Sequence, residues 1–83
     1  MNCCDLLAKA RRSSSNLTFR EGLLLAECLG FVLARTRGSH FIFKHAGYRR
    51  IVNLQASSGR AKPYQIRPLL FIADELEGEE EGE

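Results

Sequence analysis

Two short turns divide residues 31–55 into three strand-like runs, and this limits the folds that the chain can adopt. The turns centre on Gly38 and Gly47, and the runs between them are rich in β-branched and aromatic side chains: 31–37, 40–44 and 49–55. Gly47 can adopt the positive φ that a tight hairpin favours. Because connections this short join antiparallel neighbours, the pattern predicts a three-stranded antiparallel meander.

A helix is predicted over residues 19–29, directly before the strands. Thr18 can act as its N-cap and Glu21 stands at the third helical position, so their side chains can bond amide groups of the first turn that lack a helical partner. The apolar side chains gather on one side of the helix: Phe19, Leu23, Leu25, Ala26 and Leu29. Gly30 supplies the left-handed residue that ends it.

A last helix is predicted from Pro63 to about residue 76, because proline is favoured in a first helical turn. Pro68 stands deeper and removes one backbone hydrogen bond, so we expect a kink or a late start. Phe71 falls outside the apolar stripe, and we expect it to be exposed to a protein partner. The predicted core face consists of Ile66, Leu69, Leu70 and Ala73.

The complete order of elements is (α)αβββα. Residues 1–16 are interpreted as a flexible helical extension, because their few apolar positions are followed by a serine-rich joint. A sheet connected by short hairpins buries one face under the helices that flank it in sequence. We therefore predict one α+β domain, residues 1–76, with a three-stranded antiparallel sheet and helices on one face.

Charge is divided between the body of the chain and its C-terminus. All 12 Lys and Arg lie in residues 1–73, together with only three acidic residues, and the other seven of the ten acidic residues lie in 74–83. A body this basic suggests a polyanionic partner, although a merely solvated surface has the same composition. Residues 77–83 are predicted to be a disordered acidic tail, which we expect to fold back over the basic face and weaken its binding.

The remaining composition argues against several classes of protein. The cysteines at 3, 4 and 28 lack zinc-site spacing, and we expect reduced thiols. No apolar run is long enough to cross a bilayer, and Asp5 precedes any apolar stretch, unlike a signal peptide. We expect a cytoplasmic protein with no membrane association. Without a phosphate-binding glycine loop or a carboxylate cluster in the body, no metal or cofactor is expected.

His40 follows the turn residues Gly38 and Ser39 and is the candidate catalytic residue. Glycine lets the backbone approach a ligand, Ser39 adds a small donor and acceptor, and imidazole can take or give a proton near neutral pH. RNA carries its own nucleophile in the 2′-OH, so proton transfer and charge stabilisation suffice to cleave it. The alternative is a histidine that only caps the turn.

The residues around His40 could bind RNA or simply be solvated. The candidate RNA-binding cations are Arg35, Arg37, Lys44, Arg49, Arg50 and Lys62. Tyr48 and Tyr64 could stack on a base or pack in the protein. His45 stands five residues from His40 on the same strand, on the opposite face and roughly 16 Å away, so we expect it to be a structural residue at the hairpin.

The ordered features of residues 18–72 resemble the HicA family of toxin–antitoxin systems. They are the helix ending in Leu-Gly-Phe, the basic strand, Gly38-Ser39-His40, the aromatic strand ending in Lys-His, and Lys-Pro-Tyr-Gln opening the last helix. The resemblance implies a double-stranded-RNA-binding-domain-like fold and a small toxin endoribonuclease that cleaves mRNA until a HicB-type antitoxin covers it. It also implies that His40 is catalytic, that Gly38 and Ser39 shape the motif, and that His45 is not catalytic.

Two features depart from the family pattern, namely Pro68 and the acidic tail. The residues and the resemblance together give a first hypothesis, a metal-independent endoribonuclease that uses His40 and the nearby cations. The second is an RNA-binding module of the same fold without turnover, and a third is a domain that binds only proteins.

Overall fold

The computed structural model describes residues 2–55 and 59–81, with only the backbone described for 78–81. The order of elements is that predicted: α1 (Cys3–Arg12), α2 (Phe19–Cys28), β1 (Val32–Arg37), β2 (His40–His45), β3 (Tyr48–Gln55) and α3 (Pro63–Glu81). The described chain is thus a small α+β domain, in agreement with the predicted fold class.

The capping box of α2 is confirmed in both directions. The Glu21 amide donates to Thr18 Oγ1 at 3.1 Å, and the Thr18 amide donates to Glu21 Oε1 at 2.9 Å. At the other end the helix stops as predicted, because Gly30 adopts a φ of +95° that other residues rarely tolerate. These two local signals set the direction in which the chain enters the sheet.

The sheet is the predicted meander, with strand order β1-β2-β3 and both pairs antiparallel. It contains two irregularities: the β1–β2 register shifts between Leu33 and Arg35, and the β2–β3 register shifts between Phe43 and His45. Gly38 takes a positive φ of +60° in the first turn. The positive φ predicted for Gly47 is wrong, because Gly47 is not among the positive-φ glycines. Its amide instead donates to the His45 ring.

The core lies between one face of the sheet and the helices. Phe43, Val52 and Leu54 supply its sheet side, and the Phe41 ring meets the Phe19 ring of α2 at 5.2 Å between centroids. The helices contribute most of the other buried apolar side chains: Leu6, Ala10, Leu25, Ala26, Ile66, Leu69, Ile72 and Ala73. The connecting segments add Leu17, Phe31 and Ala61. Burial of this apolar area provides the main stabilisation of the fold.

The structure corrects the prediction for residues 1–16. Helix α1 is not a flexible extension, since Leu6 and Ala10 are buried in the common core and its N-cap Asn2 accepts the Asp5 amide at 2.8 Å. The expectation of three reduced thiols is also wrong. Because α1 packs against α2, the Cα atoms of Cys3 and Cys28 come within 5.6 Å and the two cysteines form a disulfide, whereas Cys4 is free and exposed.

Helix α3 begins where it was predicted to begin but ends later. It begins at Pro63 as predicted, so Pro68 does not delay its start. Proline at this position deprives the Tyr64 carbonyl of its amide partner, and both residues are exposed, so water can replace that bond. The helix continues to Glu81 rather than ending near residue 76 and giving way to a disordered tail. Residues 82 and 83 lie outside the described part of the chain.

The faces of α3 are close to those predicted. Ile66, Leu69 and Ala73 are buried and Phe71 is 57 % exposed, as expected. The sequence analysis missed Ile72, which is also buried. Within the described residues, no helix is long and apolar enough to cross a membrane.

Candidate functional site

The face of the sheet turned away from the helices carries the Gly-Ser-His motif and most of the strand cations. Directly paired residues lie on the same face of a sheet, and the pairing forms two rows across the three strands: Arg37, His40 and Gln55 in one, Arg35, Ile42 and Asn53 in the next. Val32 and Lys44 pair further along the same face. We call this surface, defined by these eight residues, the open face.

His40 lies at the end of the open face, as the first residue of β2 after the turn at Gly38 and Ser39. Its ring is exposed, and Nδ1 lies 3.2 Å from Oδ1 of Asn53. An amide oxygen only accepts, so Nδ1 carries the hydrogen of this bond in the neutral ring. The unprotonated Nε2 is then free to accept a proton from a bound molecule.

The predicted cations do not form one cluster. Arg37 is the direct neighbour of His40, and Arg35 lies in the next row. Lys44 is on the same face but four residues along β2, roughly 13 Å from His40 at strand spacing. Arg49 and Arg50 line a depression with Lys44 at the hairpin end, and Lys62 is exposed just before α3. Only the two arginines of β1 therefore stand next to the imidazole.

His40 also borders a depression of about 220 Å³ between the sheet and the start of α3, lined by His40, Asn53, Gln55, Tyr64 and Gln65. The sequence analysis named Tyr64 as a possible base-stacking residue but missed the three amides. The alternation of β3 could have placed Asn53 and Gln55 on one face. Nothing in the local pattern indicates that the start of α3 lies beside them.

His45 has a structural role, as expected. Its Nε2 lies 2.9 Å from the Leu29 carbonyl oxygen, its Nδ1 accepts the Gly47 amide at 2.9 Å, and its ring meets the Phe31 ring at 5.0 Å between centroids. A ring that accepts at Nδ1 donates from Nε2. His45 therefore ties the end of α2 to the β2–β3 hairpin and has no free nitrogen with which to assist His40.

Carboxylates are absent from the open face in the part of the chain that the structure describes. The ion pairs of the described residues lie among the helices instead. They join Lys9 to Glu21 and Arg11 to Asp74 at 2.8 Å each, with Glu77 at 4.0 Å from Arg11. Of the described acidic side chains of α3, Asp74 and Glu77 thus meet α1 rather than the sheet. The side chains of residues 78–83 lie outside the described part of the chain. The strand arginines keep their positive charge available to a ligand.

The described residues contain no group of three His, Cys, Asp or Glu side chains placed to hold a metal ion. Comparison with protein-family models, with curated proteins and with solved structures found no match for this chain. What the site itself offers is one free imidazole nitrogen beside two arginines, at the edge of an amide-lined depression. These groups can transfer a proton and bind a phosphate.

Proposed function

We propose that this chain is a small RNA-binding endoribonuclease of the HicA type, with a double-stranded-RNA-binding-domain-like fold. The observation that carries the proposal is the exposed His40, whose Nδ1 is engaged by Asn53 and whose neighbour across the sheet is Arg37. The order of motifs along the chain adds the resemblance to HicA toxins. The substrate is mRNA in the cytoplasm, and its cleavage blocks translation.

His40 acts first as a general base in this mechanism. Nε2 takes the proton of a ribose 2′-OH, whose oxygen attacks the adjacent phosphorus and displaces the 5′-oxygen of the next nucleotide. The products are a 2′,3′-cyclic phosphate and a free 5′-hydroxyl, which receives its proton from the imidazolium or from water. No metal or cofactor takes part.

Arg37 and Arg35 stabilise the charge that builds on the phosphate oxygens. Guanidinium groups suit this role because they present several donors in a plane and stay charged. Lys44, Arg49, Arg50 and Lys62 lie too far away for this role and hold the backbone of the flanking RNA. Gly38 and Ser39 set the sharp turn that presents His40 at the end of the central strand.

A HicB-type antitoxin silences the toxin by covering the open face. This face offers a partner the positive side chains described above together with the 69 % exposed Val32. An acidic protein surface with an apolar centre would complement it and exclude RNA. Binding of RNA and of the antitoxin is therefore mutually exclusive in this proposal.

The test uses the purified full chain and an mRNA fragment, in buffer with excess chelator. We expect wild type to cleave and to leave 2′,3′-cyclic phosphate ends, while His40→Ala binds RNA without cleaving it. A substrate with 2′-deoxyribose at the cleaved nucleotide should resist both proteins. Cleavage by His40→Ala equal to that of wild type would exclude His40 as the base.

An RNA-binding module without turnover is the second candidate, and one observation favours it. Within the described residues no second imidazole is free to assist His40, since both nitrogens of His45 are engaged elsewhere, and no carboxylate lies on the open face. A module of this kind would bind RNA on the open face and leave it intact. Wild type that binds RNA tightly at low salt, with no cyclic phosphate formed after long incubation, would establish this function instead.

A further inference from the structure

We infer that the depression beside His40 is a nucleobase subsite, which holds the base of a nucleotide next to the phosphate that the open face binds. The inference rests on the proposed binding of RNA but not on its cleavage. The first observation is position: the depression shares His40 and Asn53 with the candidate site and extends from them to the start of α3. When a phosphate is bound at this end of the open face, the base of the adjoining nucleotide can therefore enter the depression directly.

The second observation is an unpaired amide. Gln65 is the one buried polar or charged residue among those described, at 8 % exposure, and its Oε1 has no hydrogen-bond partner. A buried acceptor without a partner destabilises the folded chain, so its presence beside a depression points to a missing ligand. Gln65 belongs to the lining, but its oxygen is closed to solvent. Rotation of the amide brings the oxygen to the depression, where the N–H edge of an incoming base can supply the donor.

The third observation is an exposed aromatic ring at the rim. Tyr64 leaves 64 % of its surface exposed although it adjoins the depression. Every nucleobase offers a flat π-face to such a ring, and stacking on aromatic side chains is a common way of holding single-stranded bases. The other two amides, Asn53 and Gln55, face the same space and provide further donors and acceptors.

These features favour a base over the other groups that could enter. A phosphate would bring only acceptors to the unpaired Gln65 oxygen, and an aliphatic side chain would leave that oxygen and the two neighbouring amides unsatisfied. A base satisfies both requirements, because it has an apolar face for Tyr64 and a polar edge for the amides. This subsite gives RNA binding a requirement for a base at one position, which phosphate contacts alone cannot supply.

The experiment measures equilibrium binding of the full chain to labelled single-stranded heptamer RNAs that carry one abasic nucleotide at each position in turn. Wild type should lose at least about fivefold in affinity when the abasic nucleotide occupies one particular position, as expected for one lost stacking contact. Tyr64→Ala should bind the intact and abasic RNAs equally. Tyr64→Phe keeps the ring and should retain the wild-type sensitivity.

Arg67→Ala provides a matched control, because Arg67 is exposed on the same helix but outside the lining of the depression; it should respond to abasic RNAs as wild type does. Wild type that binds RNA with no sensitivity to any abasic position would overturn the subsite and leave the proposed function standing. Failure to bind any RNA at low salt would reject both. If binding is sensitive at one position but Tyr64→Ala keeps that sensitivity, the base is held elsewhere and the inference is wrong.

Discussion

Two histidines of one strand have opposite surroundings, and the hydrogen bonds of each ring explain the difference. One ring nitrogen of His40 forms a hydrogen bond with Asn53, and the other has no protein partner among the described residues. His45 uses both nitrogens on the backbone and packs its ring on Phe31. An added Cβ at Gly30 would come within 2.7 Å of the His45 ring, so this glycine also makes room for the histidine. Of the two histidines, His40 alone keeps a ring nitrogen that a ligand can reach.

Replacement of His45 should therefore destabilise the protein, whereas replacement of His40 should not. His45→Ala removes the partners of the Leu29 carbonyl and the Gly47 amide and one ring contact, which together amount to about 2–3 kcal/mol. His40→Ala alters an exposed side chain and should change the free energy of unfolding by less than about 0.5 kcal/mol. Urea unfolding of both variants measures this difference, and equal midpoints would contradict the structural role of His45.

Asn53 should act as a positioning residue for His40 if the chain is a ribonuclease. Asn53→Ala frees Nδ1, so the ring loses its fixed orientation, and we expect cleavage to slow by about two- to tenfold. Asn53→Asp places a carboxylate on Nδ1–H, which favours the imidazolium and should move the pH–rate profile of His40 to higher pH. A pH–rate profile that is identical in all three proteins would exclude this role.

At the scale of elements, the sequence predicts which helices and strands exist and in what order, but it does not predict the register of the sheet. A two-residue turn at Ala46 and Gly47 alone would pair His40 with Asn53. The irregularity between Phe43 and His45 moves the register by two residues, so His40 pairs with Gln55 and Asn53 becomes its diagonal neighbour. A shift of two preserves which face each side chain occupies. The open face was therefore predictable, whereas the pairing of His40 with Gln55 was not.

The helices show the same division between local and tertiary signals. The ends of α2 follow from Thr18, Glu21 and Gly30, whose effects are local. The docking of α1 depends on contacts with α2 and α3 that no local pattern reveals, and so does the disulfide. The depression beside His40 belongs to this second class, because it forms where α3 begins next to β3.

The bonds of Glu21 in the capping box of α2 should make the free energy of unfolding fall at acid pH. A hydrogen bond from Lys9, followed by that of the Thr18 amide, lowers the pKa of Glu21 below its ordinary value of 4.5. A lowered folded-state pKa stabilises the protein above the unfolded-state value, and this contribution is lost as pH falls through the folded-state pKa. At neutral pH wild type should have the higher free energy of unfolding, and its excess over Glu21→Gln should shrink as pH falls below 4.5 towards the lowered pKa. Glu27→Gln, a change at an exposed site of the same helix, should not alter this pH dependence.

On the scale of the whole molecule, the described acidic residues all lie in the helices, whereas the charged residues of the open face are all positive. Asp74 and Glu77 of α3 pair with Arg11 of α1 on the helical side, while the strand arginines have no carboxylate partner among the described residues. The small net charge of +2 thus hides a surface with a strongly basic face. Such a face attracts a polyanion from a distance and loses that attraction as salt is added.

The Cys3–Cys28 disulfide joins the two ends of the helical layer across 25 residues of chain. Closing a loop of this length lowers the entropy of the unfolded chain, which corresponds to about 3–4 kcal/mol of stability. Cys28→Ser should lower the free energy of unfolding by up to this amount under oxidising conditions, whereas Cys4→Ser, at an exposed free cysteine, should not. If the two variants unfold at the same urea concentration, the cross-link does not contribute to stability.

If RNA binds across the open face, its affinity should fall with salt concentration by an amount that the number of phosphate contacts sets. Each phosphate contact releases counterions, so the logarithm of the binding constant for a single strand falls with the logarithm of salt concentration by about 0.7 per contact. Arg37→Gln should weaken binding at low salt and reduce this slope by about 0.7, because Arg37 pairs with His40 on the open face, where the proposed site would hold a phosphate. Arg20→Gln, a change on the exposed side of α2, removes the same charge from the helical layer and should leave the slope unchanged. Equal slopes for wild type and both variants would mean that RNA does not bind across the open face, since a contact there must release ions when it forms.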